Sequence, residues 1–393
     1  MNLDYSADER AFRDAVRDWL RTNLPPAMRD KVVRYAELTR DDLLGWHRIL
    51  AAKGWIAPAW PEEWGGTGWN VAQRYIFEEE CGYAGAPPLV PFGLTMCAAV
   101  LLEFGTDAQK QRFLPRIYRG DDLWCQGYSE PNAGSDLASL RTSAVRKGDV
   151  YIVDGQKIWT TMAHLADWIF CLVRTDPSQR KQDGISFLLI DMRSPGITVR
   201  PLVLMDGGHE VNEVFFDGVA VPVENRVGDE GKGWSVAKYL LGHERMNTAR
   251  IGTSKRELEQ LKAFAAQQRR DDRPLCDDTR FRDKLSRLEI ELMALEVTNL
   301  RFLDRMRGGR APGAEVSMLK IKGTEIQQAL TELMLEAAGP LAQAVAAVDG
   351  GALADDFVGA LAPRYCNMRK TTIYAGSNEI QRNIIAKHAL GLG

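Results

Sequence analysis

The sequence predicts a mainly helical protein with a central β domain, because its hydrophobic periodicity changes twice along the chain. Apolar residues recur at helical spacing over the first third. They give way near Leu123 to short runs of β-branched and aromatic residues, and helical spacing returns after Gly233. A chain of 393 residues is longer than one simple core usually holds. We therefore expect an N-terminal helical domain (1–122), an antiparallel β domain (123–232) and a C-terminal helical bundle (233–393).

The first domain is predicted from a helix start and the apolar face that follows it. Ser6 and Glu9 form a capping box, in which each side chain accepts a hydrogen bond from the backbone N–H of the other residue. Apolar residues then recur every three or four positions, and the Pro25–Pro26 pair is expected to end the helix. Further helices are expected over residues 41–53, 71–105 and 107–118.

The other two domains are predicted from runs of residues and their periodicity. Five short runs between glycine, aspartate and proline breaks are typical of strands: residues 142–145, 151–153, 168–173, 185–190 and 213–216. Four long segments then have helical periodicity: residues 234–268, 277–306, 314–338 and 355–374. The apolar stripe of the second segment is interpreted as core packing in a bundle; it consists of Leu285, Leu288, Ile290, Leu292 and Leu295.

Composition and charge argue against several functions. The formal net charge is −3, with basic and acidic residues interspersed, so nothing favours nucleic acid or an anionic membrane as a partner. The six cysteines are scattered singly, which argues against a metal site or a redox dithiol. The first residues lack a signal-peptide or presequence pattern, and no apolar run approaches membrane-spanning length. We therefore expect a cytoplasmic protein with reduced thiols.

Three segments carry the candidate chemistry. Residues 127–136 (GYSEPNAGSD) are predicted to form a polar loop, whose hydroxyls and backbone N–H groups can bind a polar ring edge or a phosphate. Residues 155–161 (GQKIWTT) place a tryptophan beside threonines, and the segment is predicted to end one strand and precede the next. Residues 372–386 (TIYAGSNEIQRNIIA) form the tail. No Gly-x-Gly-x-x-Gly segment joins a strand to a helix, so a Rossmann dinucleotide site is not expected.

In this order and spacing, and together with residues 109–115 (QKQRFLP), the segments resemble the signatures of the acyl-CoA dehydrogenases. The resemblance spans essentially the whole chain. It implies a helical domain, a β-barrel-like domain and a four-helix bundle, assembled as a homotetramer or a heterotetramer. It also implies FAD-dependent α,β-dehydrogenation of an acyl-CoA thioester to the trans-2-enoyl-CoA, as in the β-oxidation of fatty acids. The electrons would pass to an electron-transfer flavoprotein.

By the same resemblance, the first two segments bind FAD. Tyr128 and Ser129 would meet the pyrimidine edge of the flavin, and Ser135 would lie near the FAD pyrophosphate or the acyl-CoA. Trp159 would pack against the isoalloxazine. Thr161 would donate a hydrogen bond to flavin N5, which favours the arrival of the β-hydride there.

The tail would approach the same cofactor through Ser377 and Glu379. Its informative residue is Ala375, because many members of the family have their catalytic glutamate at this position. The reaction needs a carboxylate base for the α-proton and hydrogen-bond donors for the thioester oxygen. A backbone donor survives the loss of a side chain, so the Ala375 N–H is expected to bind that oxygen.

Glu244 is the predicted base. Some members of the family, including the isovaleryl and long-chain enzymes, carry the base in the helix that corresponds to residues 234–268, directly before an arginine. In those members the residue that corresponds to Ala375 is not a carboxylate. In this sequence Glu244 precedes Arg245, and residue 375 is alanine. Arg245 is expected to contact the substrate or to orient the local network.

Two features resemble one subgroup of the family, the bacterial pimeloyl-CoA dehydrogenase large subunits and relatives that act on bulky or dicarboxylic acyl-CoAs. Many members of the family have an Arg-x-x-Phe-Gly element that reaches a neighbouring subunit's FAD. Residues 269–275 (RRDDRPL) stand in its place here, so the sequence leaves open which arginine, if any, contacts FAD. The loop 206–213 (DGGHEVNE) looks characteristic of the subgroup, and His209 in it is interpreted as structural.

Two alternatives stay open. Alanine at residue 375 also favours an FAD-binding but non-catalytic or half-active subunit of a heteromeric acyl-CoA dehydrogenase. An oxygen-using relative is the other alternative. Acyl-CoA oxidases usually have an extra C-terminal domain that this length does not provide, and nitroalkane oxidases have an aspartate near the tail position.

Overall fold

The fold is given by a computed structural model, which describes residues 4–243, 249–270, 272–309, 313–343 and 357–392. The chain divides into two compact units. The helical unit comprises Met1–Trp46, Trp69–Pro88 and Arg245–Gly393, and the β unit comprises His47–Gly68 and Leu89–Glu244. Each unit contains a hydrophobic core of its own. The predicted domain boundaries at residues 122 and 232 remain predictions.

Twelve α-helices lie in the described residues. In chain order they are α1 (Ala7–Asn23), α2 (Pro26–Val33), α3 (Arg40–Lys53), α4 (Val71–Ala84), α5 (Ala98–Phe104), α6 (Asp107–Arg119), α7 (Gly233–His243), α8 (Ile251–Gln267), α9 (Thr279–Arg307), α10 (Ser317–Ala338), α11 (Leu361–Met368) and α12 (Asn378–Ile384). The helical unit holds α1, α2, α4 and α8 to α12, and the β unit holds α5 to α7. No helix of the described residues is long and apolar enough to cross a membrane.

The β unit is built on one eight-stranded sheet. Its strands are β1 (Trp124–Gly127), β2 (Ser143–Lys147), β3 (Val150–Thr161), β4 (Trp168–Arg174), β5 (Ile185–Asp191), β6 (Ile197–Val203), β7 (His209–Pro222) and β8 (Arg226–Val227). The order across the sheet is β6-β7-β3-β2-β4-β5-β8, with β1 beside β4. The pairings are antiparallel as predicted, except that β1 and β2 each pair with β4 in parallel.

The predicted order of helices is confirmed, but helices begin or end at three places that the sequence did not predict. α1 ends before the Pro25–Pro26 pair, as predicted, but a further helix, α2, begins at Pro26. Proline is tolerated there because an N–H in the first helical turn has no partner within the helix. The segment predicted as one helix over 71–105 breaks after α4, where Gly85 takes the left-handed conformation. The segment predicted over 234–268 is also divided, since Arg250 has a positive φ and a new helix begins after it.

Two strand predictions were too short, and three strands of the sheet were not predicted: β1, β6 and β8. β3 extends beyond the predicted 151–153 run to Thr161, so the segment 155–161 forms the end of this strand and precedes β4, as predicted. β7 covers fourteen residues around the predicted 213–216 run. β6 was missed because it contains Pro201; as an edge strand it can accommodate a residue that donates no hydrogen bond.

The cores follow the predicted periodicity with one exception. Four leucines of the predicted α9 stripe lie in the core of the helical unit: Leu285, Leu288, Leu292 and Leu295. Ile290 is exposed, since it lies two positions from Leu288 and from Leu292 and therefore on the opposite side of the helix. The core of the β unit is formed by alternate residues of its strands, including Tyr151, Val153 and Val214.

In the helical unit, α4 and α8 approach each other through two glycines. A Cβ added at Gly252 would lie 2.1 Å from the backbone oxygen of Glu79, and a Cβ added at Gly82 would lie 2.9 Å from the backbone nitrogen of Thr253. Both distances are shorter than a van der Waals contact. The absence of side chains at these positions therefore sets the distance between the two helices.

We expect Gly252→Ala to destabilise the helical unit by about 1–3 kcal/mol, because the added methyl group must push α8 away from α4. The measurement is the free energy of unfolding in urea. Gly308→Ala is the control in the same unit, since an added Cβ at this exposed helix end lies 3.3 Å from its nearest neighbour. Equal stability of the two variants would show that α4 and α8 are not in close contact.

Candidate active site

The predicted flavin-facing loop begins where β1 ends. Tyr128 is buried, with its ring edge-on to Phe170 at a centroid distance of 5.8 Å, and Ser129 is half-buried. Glu130 closes the loop with backbone hydrogen bonds in both directions to Ala133, each 3.0 Å long. Ser135 lies further along and is exposed. Tyr128 and Ser129 are thus on the anchored part of the loop, and Ser135 is on its exposed part.

A buried ion pair joins this loop to strand β3. Lys157 is fully buried, and its Nζ donates hydrogen bonds to Glu130 Oε1 at 2.8 Å and to the backbone oxygen of Tyr128 at 3.1 Å. The backbone N–H of Ile158 also donates to the backbone oxygen of Ser129 at 2.9 Å. The loop and the strand therefore hold each other in register.

Glu130 is stabilised as a carboxylate despite its burial. Its oxygens accept hydrogen bonds from the backbone N–H groups of Arg141 at 2.6 Å and Thr142 at 2.9 Å, in addition to Lys157. Burial acts to raise the pKa of Glu130, but the charge of Lys157 and these hydrogen bonds outweigh it, so the pKa lies below its usual value. Glu130 therefore stays ionised at neutral pH, with Lys157 beside it as the counter-charge.

The end of β3 presents Trp159 and Thr161. Trp159 has a φ of 60° and exposes 58% of its surface, and Met162 has a φ of 59°. Positive φ is rare for residues other than glycine and costs conformational energy, so surrounding contacts must hold this segment. The pairing with β7 shifts register between Lys157 and Thr160, which turns the Trp159 side chain outward.

Asn212 of β7 supplies one of these contacts. It is fully buried, and its Nδ2 donates to the backbone oxygen of Thr160 at 3.0 Å. It also joins two histidines, with His164 Nδ1 at 3.1 Å and His209 Nε2 at 2.7 Å; the two imidazoles stack at a centroid distance of 4.0 Å. His209 thus contacts other side chains beside the candidate site.

Sequence reasoning missed Glu130, Lys157, Asn212 and His164 as supports of the site. A signal existed for Lys157, since strand alternation from Tyr151 and Val153 places residue 157 on the buried face. The partner of a buried lysine, however, depends on which loop crosses that face, and sequence periodicity does not contain this information.

The tail lies in the helical unit and forms a tight turn before α12. Ala375 has a φ of 53° and Gly376 a φ of 75°. Ala375 is exposed, and no described acceptor takes a hydrogen bond from its N–H. Ser377 caps α12, since its hydroxyl accepts a hydrogen bond from the backbone N–H of Ile380 at 3.4 Å, and Glu379 follows as an exposed residue in the first turn.

Glu244 and Arg245, predicted as base and substrate contact, lie outside the described residues. α7 ends at His243 directly before them, and α8 begins at Ile251. The structure therefore describes three of the predicted site segments: Tyr128 to Ser135, Trp159 to Thr161, and the tail. It joins the first two through Lys157 within the β unit.

Comparisons with known proteins agree with this architecture. Models of the acyl-CoA dehydrogenase N-terminal, middle and C-terminal domains match residues 6–121, 125–219 and 231–390. Acyl-CoA dehydrogenase IpdE1 of Mycobacterium tuberculosis is 38% identical over 98% of this chain and 98% of its own. Acyl-CoA dehydrogenase FadE26 of the same organism is 34% identical over 100% and 99% of the two chains.

Solved structures give the same result. The Tcur3481-Tcur3483 steroid ACAD matches with a TM-score of 0.86 at 30% identity, and the ChsE4-ChsE5 complex from Mycobacterium tuberculosis matches with a TM-score of 0.84 at 32% identity. Both matches cover 100% of this chain and 100% of the other.

A helical, β and helical domain order with loop-borne polar groups on the β domain is the architecture of a flavin-dependent dehydrogenase of acyl thioesters. The chain belongs to the acyl-CoA dehydrogenase family, a family of flavoprotein oxidoreductases.

We expect Lys157→Met to destabilise the β unit by about 3–5 kcal/mol, because it leaves the Glu130 carboxylate buried without its counter-charge. Urea unfolding followed by tryptophan fluorescence measures the change. The double variant Lys157→Met with Glu130→Gln removes both charges and should recover part of the loss. A single variant as stable as the wild type would contradict the assigned pair.

Proposed function

We propose that this chain catalyses the FAD-dependent α,β-dehydrogenation of an acyl-CoA thioester, with Glu244 as the base that removes the α-proton. The observation that carries the proposal is residue 375, where the tail has an exposed backbone donor and no carboxylate. Removal of the α-proton requires a base, so the carboxylate must come from elsewhere in the chain. Glu244 is proposed from its sequence position after α7 and directly before Arg245.

Glu379 is the other carboxylate of the tail, and its surroundings make it a poor base. Its side chain is exposed, and hydrogen bonds from its own backbone N–H and from the Ser377 hydroxyl lower the pKa of the carboxyl. Arg382, at 3.8 Å, acts in the same direction. A carboxylate with a lowered pKa has less affinity for a proton, which favours Glu244 over Glu379.

The side chains of the β unit fit a flavin. Trp159 presents an exposed aromatic surface on a strained backbone, and the Thr161 hydroxyl follows on the same strand. Lys157 fixes the polar loop to this strand. An aromatic heterocycle with a polar edge is the ligand class that matches such a set. The proposed FAD-binding residues are Tyr128, Ser129, Ser135, Trp159, Thr161, Ser377 and Glu379.

The chemistry then divides between the cofactor and the chain. Bound FAD would supply the acceptor for the two electrons that leave the β-carbon as a hydride. Glu244 takes the α-proton, and the Ala375 N–H donates a hydrogen bond to the thioester oxygen on which negative charge develops. A fixed donor at this oxygen lowers the barrier because it stabilises the transition state more than the bound substrate. Ser135 and Arg245 would contact the substrate, and an electron-transfer flavoprotein would reoxidise the cofactor.

Relatives support two finer proposals. One structural neighbour is described as a steroid ACAD, which supports a bulky, ring-containing acyl group on the substrate. That neighbour and the ChsE4-ChsE5 complex each combine two named chains, which supports a heterotetramer. A half-active subunit of such a heteromer is the second candidate function, since Ala375 removes the base that many members of the family place in the tail.

We expect Glu244→Gln to slow anaerobic bleaching of the flavin by an acyl-CoA at least about 100-fold, because the amide cannot accept the α-proton. Stopped-flow absorbance measures the rate with octanoyl-CoA, isovaleryl-CoA and a steroid-ring acyl-CoA. Glu291→Gln is the control and should keep a rate within about threefold of the wild type, since Glu291 is an exposed carboxylate of α9 that the proposed site does not include.

Ala375→Glu in the Glu244→Gln background should restore part of the rate by returning a carboxylate to the tail. Bleaching that persists in Glu244→Gln would show that another residue is the base. A wild type that binds FAD but is bleached by no thioester, alone or with a partner chain, would favour the non-catalytic subunit.

We expect the chain alone to bind less than one FAD per subunit, and co-expression with a second acyl-CoA dehydrogenase chain of the same genome to restore full occupancy. The reason is that a heteromeric site is incomplete in either chain alone. Light scattering and flavin absorbance measure mass and occupancy. A chain that alone forms particles of about four times 43.9 kDa with one FAD per subunit would contradict the heteromer.

A further inference from the structure

The helical unit contains a buried lysine that the proposed chemistry does not use. Lys320 of α10 is 1% exposed and is among the largest fully buried side chains of the described residues. Within those residues its Nζ makes one hydrogen bond, to the Asn378 amide oxygen at 2.9 Å. Burial lowers the pKa of Lys320 to about 8, although the charge of Glu379 opposes this. A buried ammonium with a neutral partner does not stabilise a fold, so it calls for another explanation.

The partner of Lys320 belongs to the tail. Asn378 is the first residue of α12 and is itself buried. Besides Lys320, its side chain contacts Thr324, with Nδ2 3.2 Å from the threonine hydroxyl oxygen. Thr324 lies one helical turn after Lys320 and is also buried. Lys320 and Thr324, one helical turn apart on α10, therefore both contact Asn378. Asn378 lies three residues after Ala375.

The same face of α10 also holds the chain before the turn. Gln328 lies one further helical turn along, and its Nε2 donates to the backbone oxygens of Met368 at 3.2 Å and Arg369 at 3.1 Å. Arg369 in turn donates to the backbone oxygen of Gln328 at 2.9 Å and to the hydroxyl of Thr331 at 3.0 Å. Lys320, Thr324 and Gln328 recur at intervals of four, so they form one polar row along the helix.

The turn between these two anchors is held in an uncommon conformation. Ala375 and Gly376 both have positive φ, and Gln381 Nε2 donates to their backbone oxygens at 3.2 and 3.4 Å. A Cβ at Gly376 would lie 2.7 Å from that nitrogen. Because alanine gains nothing locally from a left-handed backbone, contacts on both sides of the turn must maintain it.

We infer that the polar row Lys320–Thr324–Gln328 is a positioning device that fixes the Ala375 turn, and with it the direction of the Ala375 N–H, for the bound acyl thioester. This inference rests on the proposed role of that N–H at the thioester oxygen. A donor improves catalysis only if it is fixed where charge develops, and small displacements remove most of the benefit. The row thus contributes through the backbone of the tail, and its members are positioning residues.

The test compares Lys320→Met with Lys322→Met in the flavin-loaded protein, as the heteromer if FAD binding requires one. Lys322 lies on the same helix but is half-exposed and paired with Glu325 at 3.0 Å, so it controls for the loss of a lysine from α10. Hydrogen–deuterium exchange of the peptide covering residues 369–384 should be at least about threefold faster in Lys320→Met and unchanged in Lys322→Met. This readout does not depend on turnover. Unchanged exchange in both variants would overturn the inference.

The second readout is single-turnover bleaching of the flavin by a reactive acyl-CoA. The limiting rate of Lys320→Met should fall about 10- to 100-fold, with the apparent Kd for the thioester within about threefold of the wild type. Asn378→Asp keeps an acceptor for Lys320 and should retain most of the rate. The melting temperature of Lys320→Met should not fall, because an apolar side chain replaces a buried charge.

Two results would overturn the positioning role: a wild-type rate in Lys320→Met, or parallel losses of melting temperature and rate, which a purely structural lysine would give. If the wild type reacts with no thioester, the proposed function fails, and the exchange experiment still decides whether the row fixes the turn.

Discussion

The buried ion pair between Lys157 and Glu130 is the interaction on which the proposed flavin-binding part of the β unit depends. It joins a loop that carries hydroxyl groups to a strand that carries an exposed, strained Trp159. The end of the strand and the residue after it have positive φ, at Trp159 and Met162, which costs conformational energy that other contacts must offset. The pair itself costs desolvation energy, and its hydrogen bonds to the loop fix the loop relative to the strand.

In the helical unit, too, a buried lysine binds a distant segment of the chain, but its partner is a neutral amide. Lys320 holds the tail through the amide of Asn378, where Lys157 holds its loop through a carboxylate. In both units a lysine on a helix or a strand donates a hydrogen bond to a segment that is distant in sequence. In the function proposed above, the tail contributes a backbone donor at residue 375, and the base lies elsewhere in the chain.

The order of helical and β domains was predicted correctly, because periodicity and turn residues are local signals. The three site segments were assigned from the resemblance to the family, and their roles stay predictions. The sequence did not predict the supports of the site, since Lys157, Asn212 and Lys320 depend on which distant segment meets them. A helix start at Pro26 and a helix end at Gly85 were also missed, because proline and glycine each have more than one structural use. The left-handed backbone of Ala375 has no sequence signal, because alanine rarely adopts it.

The most direct test of the account is an experimental structure of the flavin-loaded protein with a non-reactive acyl-CoA analogue bound. We predict that a Glu244 carboxylate oxygen lies within about 3.5 Å of the α-carbon and that the Ala375 N–H donates a hydrogen bond to the thioester oxygen. A different carboxylate beside the α-carbon would contradict the assignment of the base. A thioester oxygen bound by a side chain and not by the Ala375 N–H would contradict the role of the fixed tail.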